Sequence, residues 1–338
     1  MIMRTLLTHL TIFAVAAAAL PLALGQYGLY MGCALCVWAA FALAYDLAFG
    51  RTGLVSFGHA MFFGIGGYTF VLAILHGGFS FWPALLIGLV MTALFSIAVG
   101  FIALRVTGHA FVIITVIFGA IVELAAASAR SVTQGEDGLT FTMSQLMLGP
   151  LAVSLADPVS RYLVFLAAFL AVYLICWWIG RSSLGLVLDG IRQNERRVAM
   201  LGYRVSLYKM IAFTVSGTLS GLAGVFFAIL NFHISSEVFH IAVSMNPLTA
   251  ALVGGAGTVL GPVIGAVIVF ALSDLLRSVI VYSDLVIGAV LILIVLVAPR
   301  GLGGLWIHRR KADAAPPSVA GASALSAAAE PKGSRGTS

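Results

Sequence analysis

The chain has 338 residues, 61% of them hydrophobic and only 9% charged, with a mean hydropathy of +1.11. A water-soluble domain carries about a quarter charged residues, so this composition excludes a soluble globular protein and places the chain in lipid. The net charge of +6 does not point to a nucleic-acid partner, because the basic residues sit at the ends of apolar runs, where they orient a membrane protein.

Apolar runs predict membrane helices near 8–25, 29–49, 61–76, 84–104, 110–128, 160–180, 208–231, 245–258, 261–280 and 284–299. A membrane barrel would need segments of about ten residues with alternating polarity, and none occurs. The fold class expected is therefore an all-α polytopic membrane protein of about ten transmembrane helices. The first run reads as a span rather than a cleaved leader, since it is continuous and carries few turn residues. The eighth is short and rich in glycine, and re-entry is its alternative to crossing. With both termini cytoplasmic, only Arg130, Arg161 and Arg277 of the eighteen basic residues face outward, an asymmetry that favours ten full crossings. Residues 1–300 then form a transmembrane domain, and 301–338, rich in Ala, Pro, Ser and Gly, a largely disordered cytoplasmic tail.

Cys33, Cys36 and Cys176 lie in apolar runs and read as helix-packing residues, not metal ligands. The stretch Gly50–Thr69, G-R-T-G-L-V-S-F-G-H-A-M-F-F-G-I-G-G-Y-T, suggests a turn and half-helix. There His59 either lends a polar group to a transport route or bonds a neighbouring carbonyl, and spacing favours the second. Glu123 and Asp274 are carboxylates within spans, and such groups usually face protein or water. Thr133–Leu139, T-Q-G-E-D-G-L, lies in the longest external loop. Glu136 and Asp137 are too few for a calcium site and read as a turn at the external mouth, the leading surface for an external partner.

The most densely charged internal stretch is the loop 181–209, with Arg181, Arg192, Arg196, Arg197, Arg204 and Lys209 against Asp189 and Glu195. Its apolar Ile191, Val198 and Leu201 fall near one helical face and Gly202 is placed to end the helix, so a short amphipathic helix over 189–202 is expected. Such a helix is a handle for a cytoplasmic partner, or alternatively rests on anionic lipid. Small residues recur every four positions at Ser216, Ser220 and Gly224, and at Gly257, Gly261 and Gly265, where backbones approach closely. The run G-G-A-G-T-V-L-G-P, with Gly254, Gly255, Gly257 and Pro262, interrupts a membrane segment, which is tolerated only beside a cavity or inside protein. No lysine follows a G-x-x-x-x-G pattern, and no catalytic motif is present; the chain is expected to bind no cofactor or metal and to be no enzyme.

Five of these motifs occur in order: Gly50–Tyr68, Thr133–Leu139, Ile191–Gly202, V-G-G-A-G-T-V-L-G-P-V-I-G-A (Val253–Ala266) and A-P-R-G-L-G-G-L (Ala298–Leu305). Together they resemble the LivM-type permeases of branched-chain amino acid ABC importers, within a broader group that includes ribose-type permeases. The resemblance implies a type II importer permease in the bacterial cytoplasmic (inner) membrane, carrying branched-chain or related hydrophobic amino acids. Urea and short-chain amide importers use related permeases; a self-sufficient secondary transporter is the rival class. Implied partners are a sister LivH-type permease, two LivG/LivF-type ATPase subunits that hold ATP and magnesium, a periplasmic binding protein and membrane lipid. Ile191, Arg192, Asn194, Glu195, Ala199 and Gly202 would couple to the ATPases. His59, Glu123, Gly254, Gly255 and Gly257 are assigned to the translocation path, and Glu136 and Asp137 to its mouth. The sequence departs from the family pattern at Arg196, Arg197 and Val198, where small or acidic residues are usual, and at Gln134 and Glu136.

Overall fold

A computed structural model describes residues 25–143, 145–148, 151–279 and 288. The first and tenth expected spans, and the tail 301–338, lie outside these residues apart from Gly25 and Gly288. Each of the other eight expected spans is a helix. In chain order these are α1 (Gln26–Thr52), α2 (His59–Leu75), α3 (Phe81–Ala103), α4 (His109–Ser128), α6 (Pro158–Arg181), α9 (Val205–Asn231), α10 (Ile241–Gly254) and α11 (Gly261–Val279). Between them lie a single turn, α5 (Arg130–Thr133), and two short helices, α7 (Ser183–Gln193) and α8 (Glu195–Met200). Of all these, α1, α3, α4, α6 and α9 are long and apolar enough to cross a membrane. At about 1.5 Å per residue, the 27 residues of α1 reach roughly 40 Å, more than a bilayer core of about 30 Å.

Contrary to a purely helical expectation, the segments that join α5 to α6 and α9 to α10 carry strands. β1 (Leu139–Thr140) pairs antiparallel with β4 (His233–Ile234), and β2 (Gln145–Leu148) with β3 (Leu151–Ser154). These segments are too short to carry a readable alternation. Gln134, Gly135 and Gly138 take positive φ just before β1, so T-Q-G-E-D-G-L is the turn the sequence suggests.

The centre of the bundle is α9, which packs against α1, α2 and α3. The small residues explain how. A Cβ at Gly224 would strike the Phe63 carbonyl, one at Gly66 the backbone of Gly221, and one at Gly217 the Ser96 side chain. Where lipid is as apolar as protein, such close backbone approach supplies association energy through dispersion. Ser216, fully buried on α9, donates to the Ala44 carbonyl of α1 at 2.6 Å.

The bundle has two chemically different ends. At one end lie Arg51, Arg181 and the α7–α8 corner with Arg192, Arg196 and Arg197; at the other lie Tyr27, Asn231, Asp274 and the paired strands. α10 begins at the strand end and the turn after it reaches Gly50 and Asp46 near the basic end. The eighth segment therefore traverses the bundle, although its 14 residues reach only about 21 Å as helix. The turn Gly255–Leu260 covers the remaining distance, and α11 returns. Thr258 forms that turn by donating to the Gly255 carbonyl at 2.9 Å and accepting from Gly261 N–H at 3.0 Å.

Candidate functional site

Two features stand out, one toward each end. Toward the strand end, α1, α9, α10 and α11 line two adjoining, partly open cavities of about 270 and 960 Å³, the size class of small-molecule sites. Both share Trp38, Phe227, Asn231, Asn246, Val269 and Ser273. Trp38 stands nearly parallel to Phe63, with centroids 6.0 Å apart, and edge-on to Phe227 at 6.1 Å, giving the larger cavity an aromatic wall. Polar groups share the lining. Tyr30 Oη donates to Asn231 Oδ1 at 3.1 Å and Tyr27 Oη to Asp274 Oδ1 at 3.2 Å, while Asn246 and Glu237 line the wider part. The arrangement can hold an aliphatic group against rings while carboxamides and carboxylates meet polar ends.

At the basic end the expected single helix over 189–202 is two helices. Asn194 breaks it with extended backbone (φ −162°, ψ 100°), and its Oδ1 accepts from Arg197 N–H at 3.0 Å to start α8. The cap of a second helix overrides helical periodicity here. Ser182 starts α7 in the same manner, accepting from Gly185 N–H at 3.3 Å. Leu188, Ile191 and Val198 are buried with Val205 and Ala212 in a small cluster of their own. Leu201, expected on that face, is 72% exposed: it lies past the last residue of α8, whose Val198 keeps the contact with α7. Gly202 follows with φ +90°, the left-handed conformation expected of a terminating glycine.

Several charges of the loop point inward. Arg51 Nη1 donates to Asp189 Oδ2 at 3.1 Å and to the Gly180 carbonyl at 3.2 Å. Arg192 Nη1 donates to the carbonyls of Gly50 and, at 3.4 Å, Ala256. Lys209 Nζ lies 2.6 Å from Glu195 Oε2. Burial pushes the Asp189 carboxyl above its ordinary range, against the pull of Arg51 and Arg192. Beneath them Asp46, 5% exposed, accepts the Gly257 N–H with both carboxylate oxygens, at 3.0 and 3.1 Å. An unpaired buried N–H costs roughly 1–3 kcal/mol, a cost this acceptor spares the half-buried glycine turn.

The residues assigned to the translocation path are not brought together. His59 is fully buried among Tyr45, Phe62 and Phe213, with Nε2 3.0 Å from Ser216 Oγ, a hydroxyl rather than the neighbouring carbonyl that spacing favours. Its Nδ1 has no partner among the described residues. Glu123 is half-buried on α4. Gly254, Gly255 and Gly257 form the turn at the basic end; none of the five lines either cavity. Glu136 and Asp137 are exposed beside β1. Asp274, singled out as an acid within a span, does line the smaller cavity. Asn231, Asn246 and Glu237 escape a sequence reading because uncharged amides and a loop carboxylate carry no spacing signal. Ala199 is exposed on α8 beside Met200, which is 81% exposed. Among the described residues no group of three or more His, Cys, Asp or Glu could hold a metal ion.

A helical bundle with several membrane-length apolar helices, close glycine crossings and an amphipathic cavity defines a multi-pass membrane protein. The chain belongs to the family described as branched-chain amino acid transport system / permease component, which matches residues 26–295. It is similar to the high-affinity branched-chain amino acid transport system permease protein LivM of Escherichia coli K12, with 28% identity over 286 residues, 79% of this chain and 67% of the relative. It is also similar to LivH of the same strain, 24% identical over 288 residues, 79% of this chain and 91% of LivH. BraD of Pseudomonas aeruginosa PAO1 is 22% identical over 281 residues, with the same two shares. No solved structure matches.

Proposed function

We propose that this chain is one permease subunit of an ABC importer for branched-chain amino acids in the inner membrane, with ten crossings and both termini cytoplasmic. It pairs with a sister permease, is fed by a periplasmic binding protein and is driven by two ATPase subunits that carry ATP and magnesium. The single observation that carries this reading is the placement of the exposed α7–α8 corner at the end of the bundle opposite the wide part of the cavity. Basic residues favour the cytoplasmic side, so Arg51, Arg105, Arg181, Arg192 and Arg204 orient that corner inward and the cavity mouth outward. Leu186, Met200 and Leu201, 75%, 81% and 72% exposed, give the corner an apolar face suited to docking a protein. On the other side, the aromatic wall suits an aliphatic side chain, and Asn231, Asn246 and Asp274 suit an amino acid's charged ends. The chain itself performs no chemistry: it supplies a path that opens to one side at a time.

Reconstitution tests the reading. Proteoliposomes holding this chain, the sister permease and both ATPases should accumulate leucine when ATP is inside and the loaded binding protein outside. Liposomes with this chain alone should accumulate none. Uptake by the chain alone, driven by an ion gradient, would overturn the reading in favour of a secondary transporter.

A further inference from the structure

The polar contacts at the basic end join three elements that are far apart in sequence. Arg192, on α7, reaches two carbonyls at once: that of Gly50 near the end of α1 and that of Ala256 in the turn between α10 and α11. Asp46, on α1, binds the Gly257 N–H of the same turn. Gly50 leaves no room between them, since a Cβ there would strike both the Asp46 carboxylate and the Gly257 nitrogen. Arg51 adds a second tie from α1 to α7 through Asp189.

We propose that Asp46 and Arg192 are positioning residues forming a polar joint, through which α7 and the α10–α11 turn move as one body. Movement imposed on the loop is thereby delivered to the helices that line the cavity. The inference rests on the importer reading above and deepens it by assigning the linkage. The helix ends explain why a joint forms here. Gly50 contributes one of the last carbonyls of α1, which has no partner within its own helix, while Ala256 and Gly257 belong to a turn that cannot satisfy its own backbone. Charged side chains meet these groups from across the bundle, and a charge-assisted bond is the stronger kind. α10 and α11 carry Asn246 and Asp274 into the cavities, so a displaced turn displaces the lining. α1 shares the same cavity wall through Trp38.

The test is made on the whole reconstituted complex. Asp46→Ala and Arg192→Ala should each raise the ATP hydrolysed per leucine imported about tenfold, and Arg192→Lys should recover most of the coupling because its ammonium still reaches a carbonyl. A side chain that only supports folding would lower complex yield and leave that ratio alone. A ratio within twofold of the wild type in both alanine variants overturns the joint. Should those variants fail to assemble, Gln193→Cys with Ala256→Cys, which leaves Arg192 and Asp46 in place, the three native cysteines being replaced by alanine, gives a second reading. Bridging that pair with a short thiol crosslinker should leave uptake intact, because the two parts travel together. Uptake lost on bridging means that they must separate, which overturns the proposal. Absence of uptake by the wild-type complex would instead overturn the importer reading itself.

Discussion

Gly254→Val and Gly265→Val should each prevent the permease from reaching a folded, monodisperse state in detergent. A Cβ at Gly254 would meet the Gly261 carbonyl and Gly265 nitrogen, and one at Gly265 the Ala250 carbonyl and Gly254 nitrogen. Every one of these atoms is backbone, so no side chain can swing aside. Overpacking a close-packed interior commonly costs about 1–3 kcal/mol and more where nothing yields. Parting α10 from α11 also removes the interface that carries the cavity lining. Size-exclusion profiles and thermal unfolding of the solubilised protein measure the effect. Gly25→Ala is the control: among the described residues nothing lies near its Cβ, and a change within about 0.5 kcal/mol is expected of such a site. Wild-type behaviour of both valine variants would contradict the close crossing of α10 and α11.

The second large effect concerns the exposed corner. Met200→Glu and Leu201→Glu should reduce recovery of the ATPase subunits with the tagged permease by at least tenfold, and uptake with it. Both side chains are mostly exposed, so the permease itself should fold and insert normally. An introduced carboxylate on an apolar docking face must either stay hydrated, which parts the surfaces, or be buried unpaired, which costs several kcal/mol. Co-purification on the tagged permease reads the result. Full recovery of the ATPases in both variants would remove this face from the docking surface.

The spans were legible because membrane helices announce themselves by length and apolarity, and eight of those expected are helices within about four residues at each end. Small-residue spacing likewise foretold the crossings at Gly224 and Gly265, since close backbone approach demands glycine locally. The loop was half legible. Its buried positions Ile191 and Val198 follow helical periodicity, but Asn194, a side chain that can cap, turns one helix into two, and Leu201 lies past the end of the second. The cavity and the joint were not legible. Asp46 and Gly257 are 211 positions apart, and nothing in either neighbourhood says that a carboxylate in one helix will receive an N–H from another. The aromatic wall combines Trp38 of α1 with Phe63 of α2 and Phe227 of α9, each indistinguishable by sequence from a core residue. Local rules place helices; long-range packing decides which of their side chains meet.

The account stands on which side of the membrane the α7–α8 corner faces. Met200→Cys, in a background free of other cysteines and expressed without the ATPase subunits that would cover it, places a thiol at a position that is 81% exposed. A membrane-impermeant maleimide should label it in inside-out vesicles and leave it unlabelled in intact spheroplasts. Labelling in spheroplasts, with none in inside-out vesicles, would put the corner outside and contradict a permease driven from the cytosol.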